Sequence, residues 1–139
     1  MNFDQKQLVQ NSWEKVLPIS DTAATLFYGR LFELDPSTRP LFKDTNMAQQ
    51  RKKLIQVIGT VVNGLNRLDQ LIPAVSNLGR RHVAYGVRDE HYSSVGKALI
   101  WTLEQGLGAD FTPEVREAWT TVYAVLAETM KNAMTPAEV

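Results

Sequence analysis

Apolar side chains recur every three or four residues over most of the chain, which is the spacing of one face of an α-helix. No stretch alternates apolar and polar residues for long enough to predict a β-strand, and the chain has no internal repeat. The apolar faces are broader than the two positions per heptad of a coiled coil, so they favour globular packing. The sequence therefore predicts an all-α protein of six or seven helices joined by short loops.

Caps, prolines and glycines predict where these helices begin and end. Thr112, Pro113 and Glu114 mark the clearest start: a cap, a first-turn proline and an acid near the positive end of the helix dipole. Asp35-Pro36 begins a short turn-like helix, because proline suits the first helical position. The other predicted limits are a first helix ended by Pro18, a second capped by Ser20 or Asp21, a long helix from Met47, a loop at Asn66–Gln70, a helix with Pro73 in its first turn and its end near Gly86, and a helix from about Asp89 to Gly106.

One predicted helix carries a histidine on its apolar face. Leu71, Val75, Leu78, His82 and Tyr85 follow at offsets of 0, 4, 7, 11 and 14, which is a single helical stripe. A buried imidazole must find a hydrogen-bond partner or a metal. Taken alone, such a histidine is more often a satisfied core residue than a metal ligand, so the stripe leaves both interpretations open.

Two further polar side chains enter apolar faces. Tyr28 lies within the stripe of the second predicted helix, and Gln50 lies four residues before Leu54 at the start of the long one. The simpler interpretation is a tyrosine whose hydroxyl reaches the surface and a glutamine still in solvent. The alternative is a pair of hydrogen-bond donors that point into one interior space.

Length and composition restrict the class of protein. A chain of 139 residues, 44% hydrophobic and 22% charged, predicts one globular domain with a single core. The formal net charge of zero gives no sign of steering toward nucleic acid or an anionic membrane. No apolar run approaches the ~18 residues of a membrane span. The N-terminus lacks a basic region followed by an apolar one, so we expect a cytoplasmic protein.

The chain has no cysteine and only two histidines. The absence of cysteine excludes disulfides, thiolate-ligated zinc, iron–sulfur clusters, a nucleophilic thiol and covalent haem attachment through cysteines. Two histidines do not favour a metal site built from several imidazoles. A cofactor that needs a single protein ligand fits this composition better.

The order of these features resembles a known family, the bacterial single-domain globins, which are similar to the haem domain of flavohaemoglobins. The resemblance implies a globin fold, with six to eight helices packed around a haem pocket. It spans nearly the whole chain and implies one globin domain over residues 1–139, with a flexible tail at about 135–139. The stretches that carry it are LFYGRLFELDPSTRPLF, QQRKKLIQVIG, LGRRHVAYGVRDEHYSSVG and AWTTVYAVLAETM.

The resemblance also assigns residues to a non-covalent haem b. His82 matches the proximal histidine that binds the iron, and Phe42 matches the aromatic residue that wedges against the macrocycle. The residues that match the distal side, facing the sixth coordination position, are Tyr28, Gln50 and Leu54. The remaining implied haem contacts are Leu78 beneath the ring, Tyr92 beside the proximal histidine, Val87, and the cations Lys53 and Arg81 near the propionates.

The implied function is reversible, high-affinity binding of oxygen, with nitric oxide and carbon monoxide as other ligands. The alternative is nitric oxide dioxygenation supported by an external reductase, because the same distal donors serve both activities. Flavohaemoglobins place a glutamate late in the last helix, where this chain has Met134. That departure argues against a peroxidase-like charge-donating network on the proximal side.

Two other possibilities remain open from the sequence. One is a helical interaction or sensor domain of globin shape that binds no haem. The other is that Tyr28 or Gln50 itself occupies the sixth position of ferric iron.

Overall fold

The structure is a computed structural model that describes residues 3–84 and 89–134, without the side chains of residues 68, 69, 82–84, 89 and 132–134. This part of the chain contains no β-strand, which confirms the all-α prediction. The expected flexible tail at 135–139 lies outside the described residues. The α-helices are α1 (Phe3–Val16), α2 (Ser20–Leu34), α3 (Met47–Asn63), α4 (Leu68–Ala84), α5 (Asp89–Leu107) and α6 (Pro113–Met134), and 3₁₀ helices cover Leu17–Ile19, Pro36–Phe42, Leu65–Arg67 and Gly108–Asp110.

A pair of tryptophans joins α1 to α6 at the centre of the main apolar core. The rings of Trp13 and Trp119 lie 6.0 Å apart between centroids, and both side chains are buried. The Trp119 indole N–H donates to Ser12 Oγ at 2.8 Å, and Ser12 in turn donates to the Leu8 carbonyl at 2.7 Å. This chain of bonds satisfies the Trp119 indole and the Ser12 hydroxyl within the core.

Two predicted helix starts are confirmed by their caps. The Asp35 carboxylate accepts from the Ser37 backbone N–H at 3.1 Å, which begins the 3₁₀ helix that ends at Phe42. The Thr112 hydroxyl accepts from the Val115 backbone N–H at 3.2 Å and begins α6. Both side chains satisfy backbone donors that the first turn of a helix leaves unpaired.

The predicted cap of the second helix is wrong. Neither Ser20 nor Asp21 is a cap: α2 begins at Ser20 itself, and Ile19 precedes it without a side-chain cap bond. Pro18 does not interrupt the helical path, because it lies in the first turn of a 3₁₀ helix, where a missing N–H costs no hydrogen bond. The helical path therefore passes almost without interruption from α1 into α2.

The predicted loop at Asn66–Gln70 is also wrong. A 3₁₀ helix covers Leu65–Arg67 and α4 follows at once from Leu68, so Pro73 lies inside α4 and not in its first turn. The chain turns tightly here because Leu65 is completely buried in the core. Pro73 has no N–H to donate one turn back, so the helix holds one backbone hydrogen bond fewer at this place.

The helices that carry the predicted site residues pack in two groups. In the first group, α2 packs against both α3 and α5, so the inward faces of these three helices meet. In the second group, α4 packs along α6. The first group brings together the residues predicted for a distal pocket, and the second holds the helix that carries His82.

Candidate functional site

An aromatic cluster forms where α2, α3, α5 and the helix that ends at Phe42 meet. Its buried centre comprises Phe27, Tyr28, Leu31 and Ala98. The partly buried side chains packed against this centre are Phe32, Phe42, Met47, Leu54, Val95 and Leu99. Tyr28, Phe42 and Leu54, which are separate in the sequence, thus lie in one cluster.

Aromatic contacts fix the ring of Tyr28 within this cluster. The Tyr28 ring meets Phe27 edge-on at 4.9 Å between centroids and Phe42 at 5.4 Å. Phe32 lies 6.2 Å from Tyr28 and 5.7 Å from Phe42. Three phenylalanines therefore restrict the direction in which the Tyr28 hydroxyl can point.

The Tyr28 hydroxyl and the Gln50 amide meet in a hydrogen bond. Gln50 Nε2 donates to the Tyr28 oxygen at 3.1 Å, which joins α3 to α2 at the aromatic cluster. Because the Tyr28 oxygen acts as the acceptor, the hydroxyl hydrogen of Tyr28 is left for another acceptor. Burial raises the pKa of Tyr28, and the bond from Gln50 opposes that rise in part. The phenol is therefore a neutral donor at physiological pH.

A second group of helices is formed by α6 with α4 and α5, which both pack against it. His82 lies in the last turn of α4, but its side chain is outside the described part of the chain, as is the whole of Val87. Leu78 is half-buried one turn before His82, and Tyr92 is buried in the first turn of α5. The placement of His82 and Val87 against a cofactor therefore stays a prediction.

Tyr92 is tied to α6 through its backbone. The Tyr123 hydroxyl donates to the Tyr92 carbonyl at 2.6 Å. Burial, helped by the neighbouring Tyr92, raises the pKa of Tyr123, so this donor stays protonated. Met134, where flavohaemoglobins place a glutamate, is the last residue of α6, and its side chain is not among those described.

The second histidine has a structural environment of its own. His91 is buried in the first turn of α5, and its Nε2 lies 3.3 Å from Ser37 Oγ. Ser37 also bonds to the Asp35 carboxylate, whose other oxygen accepts from Ser94 Oγ at 2.7 Å. This polar cluster of Asp35, Ser37, His91 and Ser94 joins the end of α2 to the start of α5. Sequence reasoning missed it, since Asp35 signalled only a helix start.

The Asp35 cluster predicts a pH-dependent contribution to stability. The bonds from Ser37 and then Ser94 lower the pKa of Asp35 below its ordinary value. A lowered pKa stabilises the fold fully above the unfolded value of about 3.9, and this contribution is lost as pH falls through the folded pKa. We therefore expect Asp35→Asn to be less stable than wild type at pH 7, and the difference to narrow below about pH 4.

Urea unfolding of the two proteins between pH 7 and pH 3 measures this difference. Ser94→Ala removes one donor to the carboxylate and keeps its charge. The difference in free energy of unfolding between wild type and this variant should therefore narrow less over the same pH range. A difference between wild type and Asp35→Asn that stays constant down to pH 3 would contradict the expectation.

Comparison with known proteins identifies the family. Residues 25–130 match the family model described as Globin. The chain belongs to the globin family. It is similar to the neuroglobin of Tetraodon nigroviridis, with 30% identity over 145 residues that cover 95% of this chain and 91% of that protein. It is 32% identical to the neuroglobin of Danio rerio over 138 residues, which cover 90% of this chain and 87% of that protein.

The donor set of this globin fits a haem better than a free metal ion. The described residues hold no group of three histidine, cysteine, aspartate or glutamate side chains that could bind an ion. A haem needs one axial side chain from the protein, and the sequence of α4 includes one histidine, His82. The described helices include none that is both long and apolar enough to cross a membrane.

Lys53 and Arg81 are the two cations that the globin resemblance assigns to the haem propionates. Both side chains are exposed, on α3 and α4 respectively. Neither forms a salt bridge with another described residue. They are thus accessible to an external carboxylate, although exposed pairs of this kind contribute at most about 1 kcal/mol.

Proposed function

We propose that this globin binds haem b non-covalently through His82 and holds oxygen tightly through Tyr28 and Gln50. The observation that carries the proposal is the 3.1 Å bond between Gln50 and Tyr28, whose ring lies in the aromatic cluster. A ferrous haem supplies an axial position that takes a diatomic gas. Oxygen is the natural ligand, and nitric oxide and carbon monoxide would compete for the same position.

The two distal side chains have different roles in this proposal. The Tyr28 hydroxyl is the direct donor to the gas, because its hydrogen is not used in the bond with Gln50. The Gln50 amide orients the phenol oxygen and strengthens its donation, as hydrogen bonds in series polarise one another. Oxygen carries partial negative charge when it is bound, so a fixed neutral donor slows its release more than that of carbon monoxide.

Leu54 and Phe42 shape the apolar part of the pocket. Both side chains pack against the Tyr28 cluster, so they keep water away from the polar pair. A dry environment makes a single hydrogen bond to the gas stronger than it would be in water. On the other side, Leu78 and Tyr92 flank the turn of α4 that carries His82, as the globin resemblance implies.

Visible spectra of the purified protein test the proposal. With haem supplied in equimolar amount, we expect a Soret band, a ferrous form without ligand, and distinct spectra under oxygen and under carbon monoxide. A protein that takes up no haem under these conditions would instead be a globin-shaped interaction or sensor domain. A ferric spectrum that changes in Tyr28→Phe or Gln50→Leu would assign that side chain to the sixth position.

The alternative activity, nitric oxide dioxygenation, rests on the same distal pair, because the reaction needs oxygen that is retained until nitric oxide arrives. Stopped-flow mixing of the oxygenated protein with nitric oxide, in the presence of an external reductase, separates the two. Sustained formation of nitrate would favour the enzyme, and a single turnover would favour the binding protein. The closer resemblance to flavohaemoglobins, the single domain and the cytoplasmic location stay predictions from the sequence.

A further inference from the structure

Gly79 in α4 lies directly against the backbone of α6. A Cβ atom added at this position would lie 2.6 Å from the Met130 carbonyl oxygen, 2.8 Å from its Cα and 3.1 Å from its carbonyl carbon. Real Cβ atoms essentially never approach other atoms within 3.0 Å. Since the atoms in contact are backbone atoms of a long helix, no side-chain rotation can make room.

Other helical glycines of the described residues do not share this restriction. A Cβ at Gly29 would meet nothing within 4 Å, and one at Gly59 would make an ordinary contact of 3.7 Å with Trp13. At Gly64 and Gly96 the nearest atoms belong to the side chains of Leu71 and Tyr123. Gly79 is therefore the position at which absence of a side chain sets the distance between two helices.

His82 follows Gly79 by three residues in the same helix, so the two lie about 4.5 Å apart along its axis. We propose that Gly79 is a positioning residue for the proximal ligand. Its backbone contact with Met130 fixes how close to α6 the turn of α4 that carries His82 lies. Packed helices transmit such a displacement as rigid elements, because protein interiors are nearly as dense as crystals. This inference rests on the proposed function, in which His82 binds the iron.

The partner helix is anchored independently, so α4 is the element that must move. The Trp119 indole bonds to Ser12 of α1 at 2.8 Å, and the Tyr123 hydroxyl bonds to the Tyr92 carbonyl of α5 at 2.6 Å. These contacts hold α6 against the rest of the core. A methyl group at position 79 should therefore shift α4 by several tenths of an ångström away from Met130.

The first experiment compares Gly79→Ala with Gly29→Ala, which makes the same change in a helix where space is free. Resonance Raman spectra of the ferrous, ligand-free protein report the iron–imidazole stretch directly. We expect Gly79→Ala to shift this band and to lose haem about fivefold faster or more, while Gly29→Ala matches wild type in both. Alanine favours a helix more than glycine does, so weaker helix propensity cannot produce the change.

A second experiment separates an effect on the position of His82 from a general loss of stability of the fold. In a His82→Gly background, free imidazole binds the iron without a link to α4, so Gly79→Ala should no longer shift the band. A shift that persists with free imidazole would overturn the inference, as would equal spectra for Gly79→Ala and Gly29→Ala. If His82→Gly keeps its band without imidazole, the proposed function fails, which is a different result.

A third variant covers the case in which Gly79→Ala does not fold. Tyr123→Phe removes the bond to the Tyr92 carbonyl and keeps the ring, so α6 loses part of its anchor. Because α6 supports α4 through Met130, we expect the iron–imidazole band to shift in this variant but not in its His82→Gly form with free imidazole, where a shift produced through Tyr92 would persist. A band identical to that of wild type would overturn the inference.

Discussion

Replacement of His82 by alanine should make this globin lose its haem. The bond from the imidazole to the iron is the one coordinate bond that the proposed function assigns between the protein and the haem, and apolar contacts alone are non-directional. Even partners that only orient a metal ligand contribute about 10- to 100-fold to metal affinity. Loss of the ligand itself should therefore raise the rate of haem loss by about 100-fold or more.

The measurement follows transfer of haem from the ferric protein to an excess of an apoglobin acceptor, by the change in the Soret band. His91→Ala is the matched control, because it removes the other imidazole of the chain. His91 is buried beside Ser37 at 3.3 Å, so its loss should reduce stability but leave the iron–imidazole band in place. Unchanged haem retention in His82→Ala would refute the assignment of the proximal ligand.

The second large effect is expected at Tyr28, the proposed donor to bound oxygen. Tyr28→Phe keeps the ring and its contacts with Phe27 and Phe42 but removes the hydroxyl. Both the direct bond to oxygen and the supporting bond from Gln50 disappear with it. Only the direct bond counts in full, because the bond from Gln50 is present with and without oxygen; at ~1.5–3 kcal/mol for a bond to a charged acceptor, the oxygen dissociation rate should rise about 10- to 150-fold.

Gln50→Leu should have a smaller effect than Tyr28→Phe, since it removes the supporting bond and keeps the direct donor. We expect the oxygen dissociation rate to rise less than about fivefold in this variant, because a supporting bond strengthens the direct one by roughly 10–30%. The carbon monoxide dissociation rate should change less than the oxygen dissociation rate in both variants. The Tyr28 hydroxyl stabilises the partial negative charge on oxygen, which carbon monoxide lacks. An oxygen dissociation rate within about twofold of wild type in Tyr28→Phe would refute the proposed role of Tyr28 and Gln50.

The sequence by itself determined the helical class and which faces of the helices are buried. The helical stripes place Tyr28, Leu54 and Leu78 on buried or half-buried faces, as found. Local rules of this kind succeed because the period of the apolar residues and the cap residues act within one or two turns. Thus the starts at Asp35 and Thr112 were predictable, and the side chain of each does cap its helix.

Only the tertiary structure decided which of these residues meet and which backbones touch. The bond between Gln50 and Tyr28, the cluster around Asp35 and the approach of Gly79 to Met130 each join segments that lie 22 or more residues apart. No local pattern encodes these distances, because they depend on how whole helices pack. The start of α4 differs from expectation for the same reason: burial of Leu65 in the core overrides the signals of the local sequence.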